Sequence, residues 1–241
     1  MRNTLMKLSK CFLLFIAISS SAFSLNALAA DETATLTVVG DISPSACTPN
    51  LDGGGKIDYG HIDASMLKAT DPDINVLPVK TVNLTVNCTA AMKVAFTVAD
   101  NRSDSMYVSS SFVFPGMADN GSDIPMATST DGFGLGKTAS DYKIGDYAIT
   151  VPLTITADSN TVDVIGSSHG GDWAKVVGGN VLSGNARRET IAATGTLEPL
   201  AFTQAIFPLQ INTGIRGLSL INSTGDIITL DGNATISLVY L

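Results

Sequence analysis

The sequence predicts an all-β protein built as a β-sandwich. Beyond residue 29, short runs of alternating apolar and polar residues are separated by glycine, asparagine, aspartate and serine. Charged residues make up only 15% of the chain, and apolar spacing of helical period is not sustained beyond the leader. Because sandwiches of roughly 200–250 residues form single domains, residues 30–241 are predicted to fold as one domain.

Residues 1–29 are predicted to be a secretory signal peptide. The first ten residues include three basic ones, and they are followed by an apolar run that is interrupted only by serine. This run is too short to span a bilayer. Ala27 and Ala29 give the small-x-small pattern of a signal cleavage site, so we expect export and cleavage after Ala29.

The exported part of the chain is acidic. Removal of the three basic residues of the leader leaves 11 basic and 22 acidic residues, a net charge near −11. This charge argues against partners such as nucleic acid or anionic membrane surfaces. No later segment reaches 18 consecutive apolar residues, so no transmembrane segment is expected in the mature chain.

Two cysteines remain after the leader, Cys47 and Cys88. An exported pair in an oxidising compartment is predicted to form a disulfide. In the chain-entropy model, closing a loop of this length contributes on the order of 4 kcal/mol. Neither cysteine lies in a Cys-x-x-Cys motif, which argues against a redox or zinc site.

The first half of the mature chain contains four predicted strands and one short helical turn, at residues 63–69. The most regular strand alternates strictly, with Val82, Leu84 and Val86 on its inward face and Asn and Thr residues on the other. The four strands are predicted at residues 35–42, 56–59, 81–88 and 93–99.

The second half contains more short strands and two predicted loops. Pro152 is expected to confine its strand to an edge or a bulge, and one or two strands are expected around Pro208. The strands are predicted at residues 106–114, 147–156, 162–165, 174–177, 200–215, 227–230 and 234–241. The loops are predicted at residues 132–145, as a loop or hairpin, and at 178–190, on the surface.

The strand at residues 234–241 is the most informative element. Its alternation places Ala234, Ile236, Leu238 and Tyr240 on one face. A terminal strand with one apolar face has to be paired or covered, because an open edge is a template for adding another strand. We therefore predict a protein that works by lending or borrowing β-strands.

Three partial motifs for catalysis or ligand binding are incomplete. Residues 166–170 match the Gly-x-Ser-x-Gly nucleophile elbow, but no helical pattern and no histidine follow them. Residues 132–138 resemble a phosphate-binding loop whose first glycine is replaced by Asp131. Residues 71–75 begin like a calcium loop, but Val76 replaces its glycine. No enzymatic activity, cofactor or metal is therefore expected.

The beginning and end of the mature chain resemble chaperone–usher pilus (fimbrial) subunits. The similar features are the strand at residues 35–42 followed by Cys47, a second cysteine in an alternating strand, and a penultimate Tyr240. The chain is closer still to a family of enterobacterial fimbrial-like periplasmic proteins with no assigned role. The segments shared with that family are residues 45–49, 57–60, 133–136, 143–145 and 230–234.

This resemblance implies an immunoglobulin-like, pilin-type sandwich that is incomplete and accepts a strand. In pilus subunits a periplasmic chaperone fills the gap, and the N-terminal extension of another subunit later replaces it. The partner edge would be formed by Gly232, Ala234, Ile236, Leu238 and Tyr240. Strand addition obtains affinity from main-chain hydrogen bonds and specificity from alternate side chains.

The chain departs from the pilin pattern in its expected donor segment. Only residues 30–34 would precede the first strand after cleavage, and they include Asp31 and Glu32. So short and acidic a segment is not expected to fill an apolar groove of a partner. The protein is therefore expected to accept a strand without donating one in the usual way.

The function favoured by these features is that of a fimbrial-like subunit, tip or minor, with a role in the pilus and in cell adhesion. Its expected partners are a periplasmic pilus chaperone and other fimbrial subunits. Its expected location is the periplasm or the cell surface of a Gram-negative bacterium. The alternative is a free-standing periplasmic binding or regulatory protein whose pilin fold is completed by one of its own segments.

Overall fold

The computed structural model describes residues 36–40, 45–70, 74–221 and 226–241. The chain divides into two units, Met1–Ile42 and Ser43–Leu241. In the first unit, residues 36–40 form no regular secondary structure, so the strand predicted there is not found. The rest of that predicted strand and the signal peptide, with its cleavage residues Ala27 and Ala29, lie outside the described residues.

The second unit is all-β, as predicted. Its strands are β1 (Cys47–Leu51), β2 (Asn75–Val76), β3 (Lys80–Met92), β4 (Val94–Asp100), β5 (Ser109–Phe114), β6 (Ile124–Met126), β7 (Phe133–Gly134), β8 (Gly145–Thr150), β9 (Thr154–Ala157), β10 (Asn160–Ser168), β11 (Ala174–Lys175), β12 (Asn180–Val181), β13 (Arg187–Ala193), β14 (Phe202–Ile215) and β15 (Ala234–Tyr240).

The helical elements are all short. Single 3-10 turns lie at Asp52–Gly55, Ala64–Met66 and Ser103–Ser105, and the helix α1 spans Leu218–Ile221. The turn at Ala64–Met66 falls within the predicted helical turn at residues 63–69, and the side chain of Asp63 accepts a hydrogen bond from Ser65 N at its start. None of the helices in the described ranges has the length and apolar character needed to cross a membrane.

Most of the described strands join one sheet. Its main path runs in the order β1-β3-β14-β9-β10-β13-β4-β15, and the hairpin of β5 and β6 forms a second, two-stranded sheet. The first and last strands of the path approach each other, because the hydroxyl oxygen of Tyr240 accepts a hydrogen bond from Cys47 N at 2.9 Å. The sheet is therefore nearly closed, and β1 and β15 are its two edges.

The predicted disulfide is confirmed. Strands β1 and β3 are antiparallel, and Cys47 lies directly opposite Cys88 in their register. Their Cα atoms are 4.0 Å apart and the two side chains are bonded. The inward face predicted for β3 is also confirmed, since Val82, Leu84 and Val86 are all buried. The disulfide thus fastens the edge strand β1 to an interior strand of the sheet.

Strand β14 is the longest, and it runs through Pro208 without a break. On one side it pairs with β3, with Pro208 opposite Asn83. On its other side β9 pairs with residues 205–206 and β8 with residues 210–215. Pro208 therefore lies where β14 lacks a neighbour on one side, and its missing N–H interrupts no ladder there.

Several predicted elements are corrected by the structure. The surface loop predicted at residues 178–190 contains β12 and leads into β13, which lies between β10 and β4 inside the sheet. The strand predicted at residues 147–156 is two strands, β8 and β9, interrupted around Pro152. The strands predicted at residues 56–59 and 227–230 pair with no described strand.

Strand β8 separates two apolar cores. Tyr147 and Ile149 face the main cluster, where Phe96 and Phe207 pack edge to face with ring centroids 5.1 Å apart. Ala148, on the other face of β8, packs in a smaller cluster under the β5–β6 hairpin, with Phe112 and Phe114. Covering both faces of β8 buries all six of its residues, including the acidic side chain of Asp146.

Candidate functional site: an apolar groove between two strand edges

The open edge of β15 is the starting point of the site. Residues 234–240 of β15 pair with β4 on one side, and no described strand pairs with the other side. The outer edge of β1 is likewise without a described partner strand. Because Tyr240 joins the two edges at one end only, a groove lies between them over the rest of their length.

The groove contains a cavity of about 330 Å³. Its walls are formed by β15 with the preceding residues Gly232 and Asn233 on one side, and by Leu51 and the residues that follow β1 on the other. None of the residues that line it is charged. They are Leu51, Gly54, Gly55, Ile57, Tyr59, Val82, Leu135, Tyr147, Ile149, Leu209, Ile211, Thr213, Leu230, Gly232, Asn233, Ala234 and Ile236.

The groove continues past the ends of the paired strands. A second cavity of about 600 Å³ lies between residues 56–62 and residues 226–230, and it shares Ile57, Tyr59 and Leu230 with the first. Both of these segments lack strand pairing. An extended segment entering here would therefore find main-chain groups available on both walls.

The floor of the groove carries two tyrosines in different environments. The hydroxyl of Tyr59 donates to Thr213 Oγ1 at 2.9 Å, and burial raises the pKa of Tyr59 while this hydrogen bond lowers it. Tyr147 stacks on Phe133, with ring centroids 5.1 Å apart. Burial, with a smaller effect of the Asp100 carboxylate, raises the pKa of Tyr147, so both phenols are neutral.

The beginning of the β15 wall is anchored by polar contacts. Arg102 holds Asp231 through two hydrogen bonds, at 2.8 and 3.2 Å, and this contact lowers the pKa of Asp231. Asp231 N donates to Leu135 O at 2.9 Å, and Asn101 Nδ2 donates to Thr235 Oγ1 at 2.8 Å. The wall is thus held in place before any partner binds, which reduces the entropy cost of binding.

Gly232 allows this wall to lie directly on the floor. A Cβ atom at Gly232 would lie 2.9 Å from Tyr147 Cε1, closer than real Cβ atoms approach a carbon atom. Any other residue at this position would push the wall away from the aromatic floor. The requirement for glycine here is therefore steric, and it sets the width of the groove at this end.

Two acidic side chains lie behind the floor. Asp146 Oδ1 accepts a hydrogen bond from Tyr107 N at 2.7 Å, while its Oδ2 has no partner among the described residues. Burial raises the pKa of Asp146 to about 7. Asp100 is partly buried, which raises its pKa, although it accepts hydrogen bonds from Gly134 N and Arg102 N.

The structure brings most of the predicted edge residues to this groove. Gly232, Ala234 and Ile236 line the cavity. Leu238, two residues beyond Ile236, is half-buried against the main core. Tyr240 is 52% exposed, and its hydroxyl joins β15 to β1.

The floor residues were not predicted as part of a site. Tyr147 lies in a predicted strand and Tyr59 in a segment shared with relatives, but nothing in their spacing connects them with residues 232–240. The alternation of β8 is the one signal that places Tyr147 on the same face as Ile149. Only the fold brings this face under β15.

The partial motifs lie at the ends of strands and in the turns beside them. Ser168 ends β10, and the turn that follows leads to β11, with His169 in a left-handed conformation at φ 50°. Phe133 and Gly134 form β7, which is followed by a turn in which Thr138 N donates to Tyr142 O. Of the calcium-like segment, residues 71–73 lie outside the described residues, and Asn75 Oδ1 accepts a hydrogen bond from Lys68 N. Within the described ranges, His, Cys, Asp and Glu side chains form no group of three that could hold a metal ion.

Known proteins match this chain over most of its length. Residues 36–148 match a family described as "Protein of unknown function (DUF1120)". Protein GltF of Escherichia coli (strain K12) is 33% identical, over 93% of this chain and 94% of GltF. The chain belongs to the same family as GltF. A second relative, the uncharacterized protein YhcF of the same organism, is 28% identical over 92% of this chain and 96% of its own.

These matches confirm that the chain has relatives in an enterobacterial family without an assigned role. The family match ends within β8, so it includes β1, β3 and β4 but not β15. The alignment with GltF extends over nearly the whole chain.

Proposed function

We propose that this protein is a fimbrial-like subunit, tip or minor, that accepts an extended segment of a partner as an additional β-strand. The observation that supports this best is the open edge of β15, which faces the edge of β1 across a cavity that has no charged lining residue and is largely apolar. In this proposal the nearly closed sheet is an immunoglobulin-like, pilin-type sandwich that lacks one strand. The partner is a periplasmic pilus chaperone or another fimbrial subunit.

The proposed binding mode combines two kinds of contact. The outer edge of β15 offers a row of main-chain donors and acceptors, which an added strand would pair. Every second side chain of that strand would enter the groove above Val82, Ile149 and Ile211. Each fully buried aliphatic side chain contributes about 1.5–3 kcal/mol, so a few of them suffice for tight binding.

Acceptance of a strand is the proposed role, and donation is not. With cleavage after Ala29, residues 30–34 would be the only segment before residue 35, and they include Asp31 and Glu32. The first cavity of the groove, whose lining residues are all uncharged, would not compensate these carboxylates. The proposal involves no catalysis, and it places the protein in the periplasm or at the cell surface, where the Cys47–Cys88 disulfide is stable.

A second candidate function is supported by one contact. The hydrogen bond between Tyr240 and Cys47 already joins the two edges of the sheet. A fold that closes itself in this way suits a free-standing periplasmic protein that binds a ligand or regulates another protein. In that case the groove would not take up a strand, and the experiment below separates the two candidates.

The test uses a synthetic ten-residue peptide of alternating valine and glutamine, with blocked ends and a fluorescent label. Fluorescence anisotropy should detect binding to the mature protein. Ile236→Lys places a charge in the groove and should weaken binding at least tenfold. The matched control is Ser237→Lys, because Ser237 is exposed on the opposite face of the same strand.

Circular dichroism and thermal melting establish that both variants are folded. Equal affinity of the two variants would contradict the groove as the binding site. No binding of the peptide to the wild-type protein would favour the self-completed alternative.

A further inference from the structure

The hydroxyl of Tyr147 is an unused hydrogen-bonding group in the floor of the groove. Tyr147 is only 8% exposed, and its ring is held by stacking on Phe133. Its hydroxyl makes no hydrogen bond with any described residue, although Tyr147 lines the cavity. Its oxygen is not among the fully buried side-chain atoms without a partner, so it is open to solvent in the cavity. Any occupant that covers it therefore has to replace water as its hydrogen-bonding partner.

The other tyrosine of the groove shows that the fold is able to pair such a group. Tyr59 donates its hydroxyl to Thr213 Oγ1 at 2.9 Å, within the same cavity. No described residue forms such a hydrogen bond with Tyr147. Burial raises the pKa of Tyr147, so its hydroxyl keeps its proton and can both donate and accept. Its partner therefore has to come from whatever occupies the groove, or from water.

The charges around the groove indicate an uncharged occupant. The first cavity, which Tyr147 lines, has no charged lining residue, whereas Lys56, Asp58 and Asp226 line the second. Among the charged side chains near its walls, Lys56 is paired with Asp58 at 2.8 Å and Arg102 with Asp231 at 2.8 Å, and Lys80 lies 5.6 Å from the centre of the Tyr59 ring. An occupant with charged side chains would gain no partner in the first cavity and would lose its hydration.

We propose that Tyr147 determines specificity in this groove, by selecting uncharged extended peptide segments that place one hydrogen-bonding side chain, such as threonine, above its hydroxyl. The inference rests on the proposed function, since it assumes that the groove accepts a strand. A uniformly apolar segment would leave the hydroxyl without a partner and cut it off from water. A segment with threonine at that one position would satisfy it and keep its apolar contacts elsewhere.

The test compares a set of peptides with the alternating valine–glutamine peptide as the parent. Each inward valine is replaced in turn by threonine, which has nearly the same shape. At most positions the added hydroxyl should weaken binding, because it enters an apolar site. At one position we expect the threonine peptide to bind about fivefold tighter than the parent, the effect of about 1 kcal/mol for one hydrogen bond.

Two conservative variants assign the effect to one hydroxyl. In Tyr147→Phe the preferred threonine peptide should bind more weakly than the parent, because its hydroxyl no longer has a partner. In Tyr59→Phe the preference should persist. Tyr147→Phe should melt at a temperature at least as high as the wild type, since it keeps the ring stacked on Phe133 and loses only an unpaired hydroxyl.

If the wild-type protein binds the parent peptide more tightly than every threonine peptide, the inference is wrong, and the proposed function still stands. A preference that survives in Tyr147→Phe would also overturn it. If no peptide binds the wild type at all, the proposed function fails, and this inference fails with it.

Discussion

At the residue scale, Asp146 and Glu189 are acidic side chains that the fold removes almost completely from solvent, with exposures of 0% and 1%. Burial raises the pKa of each to about 7. Glu189 is compensated by two hydrogen bonds from the guanidinium of Arg187, at 2.9 and 3.0 Å. Asp146 has a hydrogen bond from Tyr107 N, and the charges of Lys143 and Arg216 lower its pKa less than burial raises it.

Asp146 should make the folded state less stable as the pH rises. Its pKa is about 7 in the folded chain and about 3.9 in the unfolded chain, so the native state binds more protons between these values. The stability that this group contributes is complete below about pH 4 and is lost as the pH rises through 7. This loss of stability is on the order of 2–4 kcal/mol. Asp146→Asn should remove most of it, and the asparagine keeps an acceptor for Tyr107 N.

Urea unfolding at pH 5 and pH 8 measures the effect of Asp146→Asn. The matched control is Asp172→Asn, at an exposed position. Because all three proteins, the wild type and the two variants, retain Glu189, the stability of each still depends on pH to some extent. The same loss of stability between pH 5 and pH 8 in Asp146→Asn and in the wild type would contradict the assignment.

At the element scale, the two edge strands are joined at one end by a side chain. The hydroxyl of Tyr240 in β15 accepts the N–H of Cys47 in β1, and Cys47 is itself bonded to Cys88 in β3. Since the ring of Tyr240 is 52% exposed, the cost of truncating a fully buried aromatic does not apply to it. The contribution of Tyr240 lies mainly in this one hydrogen bond.

Tyr240→Phe should therefore lower the free energy of unfolding by about 1 kcal/mol. Amide hydrogen exchange at Cys47 should become faster, because its N–H loses its acceptor. Tyr142→Phe is the matched control, because Tyr142 is also half-exposed and its hydroxyl makes no hydrogen bond with a described residue. Unchanged exchange at Cys47 in Tyr240→Phe would show that the edges are not joined in solution.

At the scale of the whole molecule, the proposed role separates accepting a strand from donating one. A donor strand of ten residues spans about 33 Å, at the usual rise per residue. Residues 30–34 cover half of that length and include two acidic side chains. An acceptor without a donor would bind a partner or cap a fibre, and it would not extend one.

The mature protein purified alone should therefore not form linear fibres. Size-exclusion chromatography and negative-stain electron microscopy should show no head-to-tail polymers. A variant with ten residues of alternating valine and threonine inserted before residue 35 supplies an uncharged donor and should polymerise. Regular polymers of the unmodified protein would contradict the prediction and would identify residues 35–42 as the donor.

The sequence by itself determined the regular strands and the disulfide. Strict alternation specifies β3, β4 and β15, because a period of two leaves one face apolar whatever the strand pairs with. Cys47 and Cys88 are the only cysteines beyond the predicted signal peptide, so one pairing was expected. The wall residues Ala234 and Ile236 followed from the same local pattern.

Only the tertiary structure decided which polar segments belong to the sheet and what lies beneath β15. Strand β13 has the composition of a surface loop, yet it lies inside the sheet with its buried Glu189 paired to Arg187 at 2.9 Å. The pairing of an extended segment depends on how near another strand edge lies, so residues 56–59 and 227–230 remain unpaired. Tyr59 and Tyr147 meet in one floor because long-range strand pairing, which local periodicity does not encode, brings distant segments together.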